Sequence, residues 1–199
     1  MTARIMRTTN IQYVLAMALV LGAAQPARGV TSNEIDVHHS KLTVRAFKSG
    51  IFSSLAHDHE IDAPLAAGTV DTLAPSVELR FESGALRVLD PDLAANKRAD
   101  VQRTMLGPKV LDTARYPEIR FRSSSVEKSG AAQWRVRGTL TLHGQSHPLE
   151  LTVTRAGRFY RGTATLRQTE FGIKPVRIAG GTVRVKDEVR VEFEIAAAS

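Results

Sequence analysis

Residues 134–155, WRVRGTLTLHGQSHPLELTVTR, are two runs of apolar/polar alternation on either side of a short polar turn. A half-buried antiparallel hairpin satisfies every residue of the stretch. Trp134, Val136, Leu140 and Leu142 share one face of the first arm, with Gly138 set among them, and Leu149, Leu151 and Val153 share one face of the second. Arg135, Arg137, Thr139 and Thr141 point the other way. The turn is expected over Gly144-Gln145-Ser146, with His143 and His147 bracketing it and serving the turn or solvent. Because side chains alternate with a period of two, a one-residue slip would put every Leu and Val into water, so the register is strongly specified.

The same alternation recurs on both sides of this hairpin. Leu42, Val44 and Ala46 interleave with Lys41, Thr43 and Arg45; Val77, Leu79 and Phe81 interleave with Glu78, Arg80 and Glu82. Ile119 and Phe121 follow Tyr116-Pro117, residues 160–166 form another arm, and Val189, Val191, Phe193 and Ile195 close the chain. Gly84, Gly130, Gly144, Gly157 and the Gly180-Gly181 pair fall where turns are expected. Many short strands punctuated in this way indicate an all-β sandwich or barrel, and no linker or repeat divides them. One helix interrupts the pattern within residues 90–107: Asp90 is expected to cap it, Pro91 to occupy its first turn, and Leu93, Val101 and Met105 to form a narrow apolar stripe before Gly107-Pro108. Residues 94–100 are otherwise polar, which puts this helix on the surface, either as a lid over a barrel end or as a plain crossover.

Residues 1–29 have the form of a cleaved secretory signal. Arg4 and Arg7 precede an apolar run at 11–24 broken only by Gln12, and small residues follow. A run of roughly 14 residues is short against the ~20 that span a bilayer, which argues against a membrane anchor. With 0 Cys there is no site for lipidation and no disulfide, so stability must come from a core. Residues 30–199 suffice for one domain with a substantial interior. The formal net charge of the whole chain is +7; removing Arg4, Arg7 and Arg28 takes Lys+Arg from 27 to 24 against 20 acidic residues, leaving about +4. The charges that remain alternate along strands, as on a solvated outer face, rather than gathering into a phosphate-tracking stripe, so nucleic acid is not an expected partner.

The motifs occur in an order that resembles the YceI-like family of exported, lipid-binding, lipocalin-like barrels. Asp36-Val37-His38-His39-Ser40 followed by Leu42 and Val44 resembles the family's opening strand. Met105-Leu106-Gly107, Leu111-Asp112 and Arg115-Tyr116-Pro117-Glu118-Ile119-Arg120-Phe121 resemble its helix end and following strand. Arg137-Gly138-Thr139-Leu140-Thr141-Leu142-His143-Gly144 with Pro148-Leu149 is similar to its signature hairpin, and Glu170-Phe171-Gly172-Ile173 to its late turn. The resemblance implies an eight-stranded antiparallel lipocalin-like barrel with one short surface helix and a periplasmic address. It also implies a long isoprenoid lipid, of polyprenyl or isoprenoid quinone type, threaded into the lumen and transferred without covalent chemistry.

Eight closed strands leave an interior that is either filled by side chains or holds one small ligand. The inward candidates are mostly small and aliphatic, with aromatics at 6% of the chain, which favours room for a hydrocarbon. Strand alternation selects Leu79, Phe81, Phe121, Trp134, Leu140, Leu151 and Phe193 as ligand-binding candidates, with an ordinary packed core as the alternative. Such a carrier leaves room for transient membrane contact, and an apolar edge strand would support a dimer.

Residues 52–64, FSSLAHDHEIDAP, depart from the family's Gly-Phe-rich strand. On a strand His57 and His59 would share a face about 7 Å apart. They would then either make hydrogen bonds at the barrel mouth or help hold a divalent metal such as zinc, copper, iron or nickel. A metal site would need a third ligand from His38, His39, His143 or His147. There is no Cys nucleophile, Gly-x-Ser-x-Gly elbow or glycine-rich phosphate cradle, so no enzyme is expected. The alternatives to a lipid carrier are a His-dependent metal or redox accessory protein and a packed interaction module of the cell envelope.

Overall fold

The computed structural model describes residues 32–49, 58–71, 73–178 and 183–198. Residues 1–29, His57, Ser53, Ser54 and Gly180-Gly181 lie outside the described residues. The strands are β1 (Ser32–Ser49), β2 (His59–Asp62), β3 (Leu65–Asp71), β4 (Ser76–Glu82), β5 (Arg87–Val88), β6 (Glu118–Gly130), β7 (Gln133–Leu142), β8 (Gln145–Ala156), β9 (Phe159–Arg167), β10 (Arg177–Ile178) and β11 (Val183–Ala197). The helix is α1 (Ala95–Leu106). Antiparallel pairing runs β11-β9-β8-β7-β6-β4-β3-β1, and β1 then pairs with β11, so eight strands close an all-β barrel. Closure leaves no free edge among these eight strands.

Three short strands adorn this frame. β2 and β3 lie on the same side of β1, β3 against its start and β2 against its end. They are parted at Ala63-Pro64, where proline has no N–H for the ladder; Ala63 N still donates to Leu42 O (2.9 Å). β5 extends β2 through Ile61↔Val88, and β10 pairs with the start of β11.

The β7–β8 hairpin has the anticipated register, with Trp134↔Val153, Val136↔Leu151 and Gly138↔Leu149 facing one another. Its turn differs from the expected Gly144-Gln145-Ser146. Leu142 pairs with Gln145, so the loop is the two residues His143-Gly144, both at positive φ (50° and 72°). Such a two-residue turn matches the twist of the flanking strands, and Gln145 and Ser146 are freed to join β8. His143 is held there by Nδ1, which donates to Phe171 O (3.0 Å), and by the Tyr116 ring 4.4 Å away. His147 meets the Phe171 ring edge-on.

On the outer face, opposite charges stand on neighbouring strands. Arg137 donates to Glu150 (2.7 Å) and Glu127 (2.9 Å), and Arg120 and Arg122 both donate to Glu78. The Arg120 hydrogen bond, reinforced by the charges of Arg120 and Arg122, holds the Glu78 carboxyl below its ordinary range. A depressed carboxyl contributes stability that is present above its unfolded pKa and is lost as pH falls through the folded value. The stability difference between the wild type and Glu78→Gln, read as a shift in Tm, is therefore expected to be largest at neutral pH and to shrink on acidification. A difference that grows on acidification would contradict the pairing.

The helix begins later than its sequence suggests. α1 starts at Ala95 with Ala94 at the N-cap position, and Asp90-Pro91 sit in a separate turn closed by Leu93 N to Asp90 O (3.0 Å). Asp90 cannot cap α1 because both of its carboxylate oxygens are taken by β2. The helix is instead tied to β5 by Gln102, which accepts from Val88 N (2.7 Å) and donates to Leu86 O (2.8 Å). Met105 is buried and packs with Leu86, Val88 and Leu111, so α1 closes part of one barrel end.

Candidate functional site: the barrel lumen

The inward faces of the eight strands enclose a cavity of about 1090 Å³. Its wall is aliphatic and aromatic along most of its length, including Leu42 and Val44 from β1, Ala164 and Leu166 from β9, and Val189 and Val191 from β11. It reaches Val70, Asp71, Pro75 and Arg155 at one barrel end and Lys48, His59, Lys97, Thr104 and Arg184 at the other. The alternation in the sequence is what points these side chains inward.

Leu79, Phe81, Phe121, Trp134, Leu140, Leu151 and Phe193 all line this cavity. Leu79, Phe121 and Leu140 follow one another across β4, β6 and β7 through the pairs Leu79↔Phe121 and Phe121↔Leu140. Trp134 meets Tyr160 edge-on, 5.9 Å between ring centroids. The room inside comes partly from glycines. A Cβ on Gly138 would lie 2.6 Å from the Phe121 ring, and one on Gly162 would collide with the Phe193 ring. The two rings therefore lie over bare backbone, an arrangement in which an aromatic covers a strand glycine.

Beyond the α1 side, the same end is sealed by the segment after β9. Phe171 and Ile173 are buried there, within the apolar cluster of Val136, Leu140 and Leu151. The remaining opening is polar and contains His59. The Asp90 carboxylate accepts from His59 Nδ1 (2.6 Å) and from Glu60 N (2.8 Å), and it is buried, with 3% of its side chain exposed. Asp58 accepts from Lys48 N (2.9 Å), outside this pair.

The Asp90 partnership is the feature of this opening that sequence reasoning misses, since the two residues are 31 apart. No local pattern links them. Among the described residues, no group of three or more His, Cys, Asp or Glu side chains is placed to hold a metal ion. His39 bonds to Asp36 and His143 to Phe171, so neither joins His59. Replacing Asp90 by Ala leaves the Glu60 N–H and the His59 ring without their acceptor. A loss of about 1–3 kcal/mol in unfolding free energy is expected for such a buried donor. Denaturant unfolding checks it, and an unchanged midpoint would show the contact to be idle.

A closed eight-stranded antiparallel barrel with an apolar lumen defines a protein consistent with binding a hydrophobic ligand. The chain belongs to the YceI-like domain family, whose sequence profile matches residues 34–197. Barrels of this family are generally binding proteins rather than enzymes. A UPF0312 protein of Pseudomonas savastanoi pv. phaseolicola is 40% identical over 76 residues, which are 32% of this chain and 38% of that protein. A UPF0312 protein of Vibrio cholerae is 32% identical over 94 residues, 41% of this chain and 47% of that protein. The match thus spans less than half the length of these curated relatives. Among solved structures, Burkholderia cenocepacia BcnA superposes with a TM-score of 0.58 at 18% identity, covering 83% of this chain and 99% of that one. A mutant Campylobacter jejuni YCEI protein with a monobromobimane guest has a TM-score of 0.50 at 12% identity, covering 76% and 84%. These two likenesses concern the fold.

Proposed function

We propose that this protein is an exported carrier or reservoir for a long isoprenoid lipid of polyprenyl or isoprenoid quinone type, held in the barrel lumen. The observation that carries the reading is an apolar cavity whose wall extends between the two barrel ends. A water molecule takes up about 30 Å³ of the liquid, and a chain carbon is of similar size. A volume of about 1090 Å³ thus suits a ligand of several tens of heavy atoms. Burying its apolar surface supplies roughly 25 cal/mol per Å² before ordering costs are subtracted.

Leu79, Phe81, Phe121, Trp134, Leu140, Leu151 and Phe193 form the contact wall in this reading. The charged n-region and apolar run within residues 1–29 support export to the periplasm, with residues 30–199 as the mature domain. Loading and delivery then involve brief contact with the membrane. Protein purified from the envelope fraction of its own host is expected to carry a lipid in native mass spectrometry, and organic extraction is expected to yield a polyisoprenoid. Repeated recovery of lipid-free protein would refute the carrier reading.

A further inference from the structure

The two ends of the barrel present different chemistry to solvent. At the end away from α1, the β3–β4 turn exposes Leu73-Ala74-Pro75, the β6–β7 turn Ala131-Ala132 and the β8–β9 turn Ala156-Gly157. These turns share one rim: Arg155 N donates to Ala132 O (2.9 Å), Ala197 N donates to Arg158 O (2.9 Å), and the start of β1 pairs with Asp71. Leu73 is 71% exposed. The Asp71 carboxylate accepts from Leu73 N (2.8 Å) and Ala74 N (2.9 Å), which fixes the turn that holds the leucine out. Turn positions ordinarily take Gly, Pro, Asn, Asp or Ser, and a bare Leu or Ala is not among them. Exposed apolar groups gathered from three turns and rimmed by polar ones mark a contact surface.

Lys128, Arg155 and Arg158 stand beside these tips, matched in number by Glu34, Asp36 and Asp71, and Arg158 donates to Asp36 (3.3 Å). Apolar insertion rather than a net field therefore carries a contact here. Trp134 and Tyr160 lie half-buried just inside the turns and meet edge-on, with Arg155 over the Tyr160 ring. Side chains with an apolar body and a polar tip favour a membrane–water interface. The lumen runs out to the same rim at Val70, Pro75 and Arg155. β1 begins there, so the apolar run at residues 11–24 joins the barrel at this end. The opposite end exposes Asp92, Lys109, Arg115 and Glu170, and its opening beside His59 is bordered by Asp58, Glu60 and Asp90. Carboxylates there oppose a phosphate-covered surface.

We propose that the β3–β4, β6–β7 and β8–β9 turns form a docking surface for a phospholipid bilayer, with Leu73 inserted among the acyl chains while the lumen takes up or releases its lipid. The inference rests on the carrier reading and adds to it the end of the barrel that meets the membrane.

Lipid-free protein is mixed with phosphatidylcholine vesicles carrying geranylgeraniol, a neutral surface being sufficient for a rim whose charges balance. Loading is followed through the fluorescence of Trp134, the single tryptophan of the chain, which lines the lumen. The loading rate is expected to rise in proportion to vesicle concentration, as transfer by contact requires. Leu73→Glu is expected to slow loading about ten-fold or more, since burial of one leucine is worth at least that factor, while final occupancy is unchanged. Ala132→Glu, on a different turn, is expected to slow it as well. Leu89→Glu is the control, because Leu89 is 38% exposed and sits at the α1 end, bonded to Glu60 O of β2; it should load like the wild type. A rate independent of vesicle concentration overturns the docking surface and leaves the carrier intact, as does a Leu73→Glu protein that loads as fast as the wild type or slowing confined to Leu89→Glu. If the wild type takes up no geranylgeraniol at any vesicle concentration, the carrier reading falls and the docking surface with it.

Discussion

Ala164→Trp is expected to empty the barrel of lipid without unfolding it. Ala164 lies on the inner face of β9 opposite Val191 and lines the cavity. An indole placed there projects into about 1090 Å³ of space rather than into packed side chains, so overpacking strain is small. The ring instead takes volume from the ligand. Displacing even two buried methylenes costs about 1.6 kcal/mol, which is more than ten-fold in Kd. An indole excludes more than two, so lipid occupancy after purification should fall by well over ten-fold while Tm holds or rises. Thr165→Trp is the matched control, since Thr165 is exposed and faces outward on the same strand. Native mass spectrometry of both variants decides the matter. Undiminished occupancy in Ala164→Trp would place the ligand elsewhere than in the lumen.

The fold is legible in the sequence wherever the period of two runs unbroken. β7 and β8 carry alternation on both arms, and burial of one face leaves a single register; the pattern of residue types alone therefore assigns Trp134, Leu140 and Leu151 to the inner wall, where they lie. Alternation gives direction but not volume. Whether Leu79, Phe121 and Phe193 interlock or stand apart depends on ring orientation, and that is set by Gly138 and Gly162 on neighbouring strands. The distinction between a packed core and an open lumen thus rests on long-range steric fit.

Local signals fail in this chain for the same reason. Asp-Pro ahead of a polar stretch is a sound signal for a helix start, yet Asp90 is engaged by β2 and α1 begins at Ala95. Tertiary bonding overrides the capping preference. Gln145 and Ser146 look like turn residues, whereas the turn falls on His143-Gly144 because His143 tolerates the positive φ that the two-residue loop demands. His59 stands out by composition alone, and its partner can come only from the fold.

Gly138→Val sets strand propensity against steric fit. Valine is favoured in strands and glycine disfavoured, so propensity by itself forecasts a stabilised protein by up to ~1 kcal/mol. At this position a Cβ would lie 2.5 Å from Arg122 O and 2.6 Å from the Phe121 ring. The ring could swing away, but the carbonyl belongs to the β6–β7 ladder and can move only if the strands part. Steric fit should therefore win, with a loss of about 3 kcal/mol, at the upper end of overpacking costs. Gly162→Val meets the same obstacle in Thr152 O, 2.7 Å from the Cβ position, and should behave alike. Trimming the ring in Phe121→Leu should rescue Gly138→Val only in part, because the carbonyl remains. Denaturant unfolding of the single and double variants separates the two contacts. A Gly138→Val protein as stable as the wild type would mean that the aromatic rings are not seated on bare backbone, and the wall that keeps the lumen open would need another explanation.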